Sequence, residues 1–323
     1  GESGGPMTAM VKVCKEAGMD LFPSVRMNSH YHIEEKQASY GRHRRDNPHL
    51  RIGPPDEDIP IPSVENAIRT GLDYKFYENR RTMANVICEL FERWDVAGVE
   101  LDFMRHPAMF RPQEAYAHRY LMTDFIRFIR SRMDEIGHTR GKHLELITRV
   151  APTVADSVRT GLDVETWIKD KLVNIVVIGV GFLPFEMKIR EFVDLAEGTD
   201  CQIYGSVEAL RWALDEDVLA AIAQRYYKQG AVGIHLFNFF NLPQEWKQKV
   251  LGGIADPNKL TRLDKQYELD RSDRVESTSW HVGAFRYTIP RVQLPAQLRS
   301  TKTGQGMTLV IEIADDMDQA KSQ

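Results

Sequence analysis

Apolar residues along this chain alternate between helical and strand spacing. Met7, Met10, Val11, Val13 and Cys14 recur at intervals that predict a helix over 6–17, which Gly18 is placed to stop. Residues 21–27 read as a strand. Met83, Val86, Ile87, Leu90 and Phe91 form one stripe over 77–93, which predicts a second helix. A short strand from about residue 98 follows. The spacing predicts a long helix over 112–136, its inner side carrying Tyr116, Tyr120, Phe125, Phe128 and Ile129. Then come a strand at 144–150, a short helix at 164–171, an apolar strand at 174–181 and a helix at 185–196. A strand at 202–208, a helix at 215–229, a strand at 233–239 and a helix at 243–250 complete the series. The run at 174–181 is apolar throughout, the mark of a strand covered on both faces.

Strict alternation of strands and helices predicts an α/β fold with a parallel sheet. A doubly wound sheet and a (β/α)8 TIM-type barrel both fit. No Gly-x-Gly-x-x-Gly leads from a strand into a helix, because Gly179-Val180-Gly181 runs into Phe182-Leu183-Pro184. Polar residues recur at strand ends: Arg26 and Asn28, Asp102 and Arg105, Arg149, Glu208, Asn238. Groups drawn from the ends of many strands favour the barrel. Six strands are counted where a closed barrel has eight, and the chain opens in a helix. The expectation is therefore a barrel over residues 1–257 lacking its first two strands, with the strand at 98 fourth and the strand at 202 seventh. From about Lys265 the pattern turns β-rich, with strands expected at 280–290 and 307–313. Residues 265–323 read as the start of a β-sandwich domain, truncated before it closes. Both ends read as cut, so the missing signal peptide leaves an upstream targeting segment open.

Composition narrows this little. Of 323 residues, 42% are hydrophobic and 27% charged, the balance of a globular protein. A net charge of −4 supplies no basic field for nucleic acid. No apolar run approaches the ~20 residues of a membrane span. Cys14, Cys88 and Cys201 are far apart and odd in number, so they read as free thiols rather than a disulfide or metal framework.

The chemistry centres on Glu100 and Asp102, two residues apart on one strand. Alternation puts both on one face, with Val99, Leu101 and Phe103 on the other. Two carboxylates on an inward face are costly unless a site uses them. Asp102 is nearer the carboxyl end and hence the mouth; Glu100 sits a layer deeper, in reach of a basic neighbour. The polar stretch 29–61 is long enough for a functional loop, and it follows a strand's carboxyl end. Arg26, Asn28, His30, Arg105, His106, Arg149 and Asn238 are candidate substrate-binding donors. Tyr204, Trp212, Phe239 and Phe240 are candidates to stack on a ring. His30-Tyr31-His32, with His235, raises a metal reading. The pair falls in a loop rather than on a first strand, and no Asp accompanies His235, so no metal or cofactor is expected.

The run Phe91-Glu92-Arg93-Trp94-Asp95-Val96-Ala97-Gly98-Val99-Glu100-Leu101-Asp102-Phe103-Met104-Arg105-His106 resembles the motif of the family-10-like glycoside hydrolases. In that motif a helix ends in a Tyr/Trp-Asp-Val-Asp-Gly turn, and a strand with an inner Asp follows. Arg44-Arg45-Asp46-Asn47-Pro48-His49-Leu50-Arg51-Ile52-Gly53 and Leu72-Asp73-Tyr74 are also similar to stretches of that family. Ala97 stands where the turn usually has an acid. The resemblance covers about residues 6–250 and implies a glycosidase barrel followed by a β-sandwich, in a secreted or periplasmic bacterial protein acting on a carbohydrate. It implies that Asp102, on the fourth strand, is the nucleophile. Glu208, closing the seventh, is its partner carboxyl, since many retaining barrels carry their two carboxylates on those strands. The residues leave open which of the two is the acid, and whether hydrolysis retains or inverts. They also leave open a carbohydrate-binding barrel without turnover.

Overall fold

The structure, a computed structural model, describes residues 5–28, 41–60, 63, 66, 68–179, 187–208, 216–269 and 308–315. Strands β1 (Ser24–Arg26), β2 (Gly98–Asp102), β3 (Glu145–Val150), β4 (Ile175–Ile178), β5 (Gln202–Glu208) and β6 (Gly233–Phe237) form one sheet in sequence order. Every neighbouring pair is parallel. Helix α1 (Pro6–Glu16) precedes β1. The β1–β2 connection carries α2 (Arg42–Asp46), a 3-10 turn (Pro48–Leu50) and α3 (Tyr77–Arg93). Helix α4 (Ala115–Arg140) joins β2 to β3, α5 (Val154–Arg159) and α6 (Val164–Lys169) join β3 to β4, α7 (Ile189–Ala196) joins β4 to β5, and α8 (Glu216–Lys228) joins β5 to β6. Helices α9 (Gln244–Ile254) and α10 (Pro257–Leu260) follow.

Sequential strand order separates the two candidate folds. A doubly wound sheet reverses direction at a switch point and puts helices on both faces. Here each crossover steps one strand the same way, and right-handed crossovers then leave the long connecting helices on one side. The main core fills that side: Leu101, Phe103, Leu146, Val150, Val176 and Ile178 meet Ile87, Phe91, Ile126, Ile129, Trp167 and Phe192. Ile147, Ile175 and Val177, with Phe22 and Tyr204, form a separate apolar cluster on the other side.

The sheet curls around that inner cluster. In a flat sheet β2 and β6 would stand roughly 19 Å apart, yet His235 Nε2 of β6 lies 3.1 Å from Glu100 Oε2 of β2. The guanidinium carbon of Arg149 on β3 lies 3.9 Å from the centre of the Phe237 ring on β6. The ladder pairs Glu100 with Ile147, Ile147 with Ile175, Ile175 with Gln202, and Tyr204 with Gly233. His235 therefore stands four residues beyond the level that pairing alone assigns to Glu100, over four strands. One residue of stagger per strand is that of an eight-stranded α/β barrel with a shear of eight. The chain is α/β, a curled half-barrel of six parallel strands and thus a partial TIM-like barrel.

Local chemistry explains where elements differ from the sequence reading. Strand β1 is three residues long rather than seven, because Pro23 has no N–H to give and only its carbonyl, accepting from Glu100 N–H at 2.9 Å, joins the ladder. Helix α4 buries Met122, Phe125, Ile126, Ile129 and Met133, while Tyr116, Tyr120 and Phe128 are exposed. Three of the five residues expected on its inner side thus lie outside, because the Met122–Ile126–Ile129–Met133 row sets the buried face. Gly141, at φ 65°, ends this helix in the left-handed conformation. Gly98 lets β2 and β3 approach: a Cβ there would lie 1.9 Å from the Glu145 carbonyl oxygen. Of the expected sandwich, 280–290 lies outside the described residues. Residues 308–315 form no strand and no sheet pairing among the described residues; they are held by side chains instead. Arg225 Nε of α8 donates to the Glu312 carbonyl at 2.7 Å, and Lys265 pairs with Asp315 at 3.0 Å.

Candidate active site

Parity and register put Ser24, Arg26, Glu100, Asp102, Arg149, Ser206, His235 and Phe237 on the inner face of the arc. The Ile147, Ile175 and Val177 cluster forms the floor beneath, toward the strands' amino ends. Polar groups therefore gather at the carboxyl ends, the working face of such barrels.

Asp102 is buried and held from several sides. Its Oδ1 accepts from Met104 N–H at 2.9 Å and Arg105 N–H at 3.2 Å. Arg149 Nη1 lies 3.2 Å from both carboxylate oxygens. Oδ2 has Arg149 as its one hydrogen-bond donor among the described residues. Arg149 is itself wholly buried, 0% exposed, one guanidinium face on Phe237. Losing either partner of such a pair strands a buried charge, at a typical cost of about 3–5 kcal/mol.

Glu100 belongs to a second network one layer down. Its Oε1 accepts from Ser24 Oγ at 2.6 Å and its Oε2 meets His235 Nε2 at 3.1 Å. The other ring nitrogen, His235 Nδ1, lies 3.1 Å from Ser206 Oγ. Side chains of β1, β2, β5 and β6 are thus linked across the arc. Burial pushes the Glu100 carboxyl upward. The His235 hydrogen bond and charge, the Ser24 hydroxyl and the Arg149 charge together outweigh it and bring the carboxyl to about 2.

The other candidates divide by environment. Arg26 pairs in register with Asp102 and is exposed. Arg105 is half-buried and reaches Asp102 through its backbone N–H, while His106 is buried. Asn238, in the left-handed region at φ 56°, turns the chain out of β6. Asn28 holds the frame: its Nδ2 donates to the Leu72 carbonyl at 2.9 Å and the Ala108 carbonyl at 2.7 Å, and its Oδ1 accepts from Leu72 N–H at 3.0 Å. The buried Tyr74 hydroxyl adds a bond to the Met27 carbonyl, so the loops after β1 and β2 are fastened together beside the mouth. Glu208 ends β5 with its backbone paired to Phe237. His30, His32 and Trp212 lie outside the described residues. Tyr204 is half-buried against the inner floor, Phe239 packs on Trp246 with ring centres 6.2 Å apart, and Phe240 is exposed. Sequence reasoning missed Ser24 and Ser206. Each lies two residues before a chosen residue, Arg26 or Glu208, so alternation alone would have put them on the inner face.

No protein-family model matches the chain, and a search of curated proteins finds no match. Among solved structures, the glycoside hydrolase domain of PgaB (BpsB) from Bordetella bronchiseptica aligns at 12% identity over 74% of this chain and 77% of its own, with a TM-score of 0.45. The glycoside hydrolase domain of PelA from Pseudomonas aeruginosa aligns at 13% identity over 71% and 83%, with a TM-score of 0.41. Chitinase ChiW from Paenibacillus sp. str. FPU-7 aligns at 14% identity over 58% of this chain and 31% of its own, with a TM-score of 0.39, so the chain spans about a third of that enzyme. Likenesses this slight carry no argument about chemistry. Among the described residues, no helix is long and apolar enough to cross a membrane.

Proposed function

We propose that this chain is the barrel of a glycoside hydrolase, with Asp102 and Glu208 as its carboxyl pair. The observation that carries the reading is the buried Asp102–Arg149 unit at the carboxyl end of the curled sheet, on the inner face that β5 shares. Glycoside hydrolysis uses one carboxyl to protonate the leaving oxygen and another to attack or to activate water. Asp102 suits the second role. Every described bond to it comes from an N–H donor, which fixes its orientation and leaves Oδ2 the less engaged oxygen. Glu208 is then the acid. Pairing alone levels Asp102 with Tyr204 on β5. The stagger of about one residue per strand, over three strands, raises that level to between Ser206 and Glu208. The substrate is an oligo- or polysaccharide, with Arg26, Arg105, His106 and Asn238 as groups that meet its hydroxyls.

The test is hydrolysis of a panel of oligosaccharides by the wild type, D102N and E208Q, with circular dichroism to establish folding. Both folded variants should lose at least about a hundredfold in kcat/KM. Full activity in both would refute this carboxyl pair. Calorimetric sugar binding with no product on prolonged incubation would make the chain a binding barrel instead.

A further inference from the structure

Arg149 carries more hydrogen-bonding capacity than the protein uses. A guanidinium has five N–H donors in a planar fork. Nη1 serves Asp102, and Phe237 covers one face. Nε and Nη2 are buried and have no hydrogen-bond partner among the described residues. These two nitrogens share the edge of the guanidinium that binds a carboxylate through two parallel N–H···O bonds. A buried donor without a partner typically costs about 1–3 kcal/mol, and a charged one more. Two such donors side by side on the fork edge, beside the proposed attacking carboxylate, are the signature of a site built for a planar anion.

We infer that the Nε–Nη2 edge of Arg149 receives the carboxylate of a uronic acid residue, so that the substrate is an acidic glycan. The inference rests on the glycosidase reading for its choice of a sugar. Basic residues flank the Asp102–Arg149 pair at the mouth: Arg26 pairs in register with Asp102, and Arg105 follows three residues after it. Both nitrogens are closed to solvent in the unliganded chain, so the ligand has to enter by displacing a neighbour. The covering Phe237 belongs to β6, whose five residues are all half-exposed, whereas β2 is buried throughout. Phe237 contacts the guanidinium face and not the in-plane direction in which the N–H bonds of the fork point. Bound there, the uronate would lie beside Asp102 without displacing the bonds that orient it. A neutral sugar would present hydroxyls to the same edge and leave the charge unmatched.

The experiment titrates the full chain with D-glucuronate, D-galacturonate and D-mannuronate, each against its neutral counterpart D-glucose, D-galactose or D-mannose. Calorimetry gives the affinities, and the Nε–H resonances of arginine-15N-labelled protein give the contact. At least one uronate should bind about ten- to a hundredfold more tightly than its neutral partner. It should also shift an Nε–H resonance that is absent in R149K. Lysine keeps the charge and loses the fork, so the preference should collapse in that variant. If R149K does not fold, D-glucuronamide, D-galacturonamide and D-mannuronamide replace it, and the amide of each preferred uronate must fall to the affinity of its neutral sugar. Equal binding of uronates and neutral sugars, no binding of any uronate, or a preference that survives in folded R149K each overturn the inference. Hydrolysis of neutral glycans without any uronate preference would sink this inference and leave the glycosidase reading standing. Uronate binding through Arg149 with no glycan hydrolysed would do the reverse.

Discussion

Replacing Glu100 with Gln tests the cross-arc network through its pH dependence. Glu100 joins β1, β2 and β6 through Ser24 and His235, and its carboxyl is brought from 4.5 down to about 2 in the folded chain. A shift of roughly 2.5 pH units is worth about 3 kcal/mol at 1.36 kcal/mol per unit. Because the folded value is depressed, the unfolded chain binds the proton first as pH falls. The stabilisation is therefore fully present above about pH 5, declines below the ordinary glutamate value, and is gone near pH 2. The assay is urea unfolding of the wild type and Glu100→Gln followed by tryptophan fluorescence, repeated between pH 7 and pH 2.5. Other carboxylates titrate in both proteins and cancel in the difference. The wild type should lead by about 3 kcal/mol above pH 5, and the lead should shrink steadily below pH 4.5. A lead that stays constant down to pH 2.5, or grows, would refute the reasoning. It would mean that Glu100 acts through shape and not through its charge.

Further outcomes follow from the packing. A Cβ at Gly205 would lie 2.1 Å from the Tyr226 ring, so Gly205→Ala should cost about 1–3 kcal/mol and lower the thermal midpoint. Gly98→Ala should cost more, since there the obstacle is the Glu145 backbone rather than a side chain. Asn28→Ala removes three hydrogen bonds that tie together the loops after β1 and β2. It should destabilise by about 1–3 kcal/mol and speed proteolytic cleavage between residues 41 and 76. Burial raises the Cys88 thiol to about 11, so at pH 8 an aromatic disulfide reagent should modify it slowly in the native chain and rapidly in urea.

Most elements were legible because each has a single dominant local signal. The stripe over 77–93 matches α3 residue for residue, and the strand at 202–208 matches β5. The parity of Glu100 and Asp102 against Val99, Leu101 and Phe103 followed from strand geometry alone, and the latter three are buried in the outer core. Features set by more distant neighbours were not legible. The inward face of α4 was misjudged because its aromatic residues and its Met/Ile row both recur at helical spacing, and only the partner surface chooses between them. The 6-residue helix α5 was missed, although Thr153 caps it by accepting from Asp156 N–H at 3.0 Å. The expected strand at 307–313 shows the same limit: 308–313 have the composition for it but pair with no strand among the described residues.

The pairing of Glu100 with His235 shows why site residues are harder to read than elements. The two residues are 135 positions apart and on strands that never pair. What joins them is stagger, a property of the curled sheet and not of any segment. One residue per strand over four strands brings His235 level with Glu100, whereas pairing alone would leave it two pleats higher. The same displacement brings Phe237 over Arg149 and puts the end of β5 at the level of Asp102. A sequence reading that had granted the barrel and imposed its shear would have taken Glu100 to His235 at once. It would have separated the two acids by partner as well as by depth: Glu100 held by a histidine across the arc, and Asp102 by the arginine beside it.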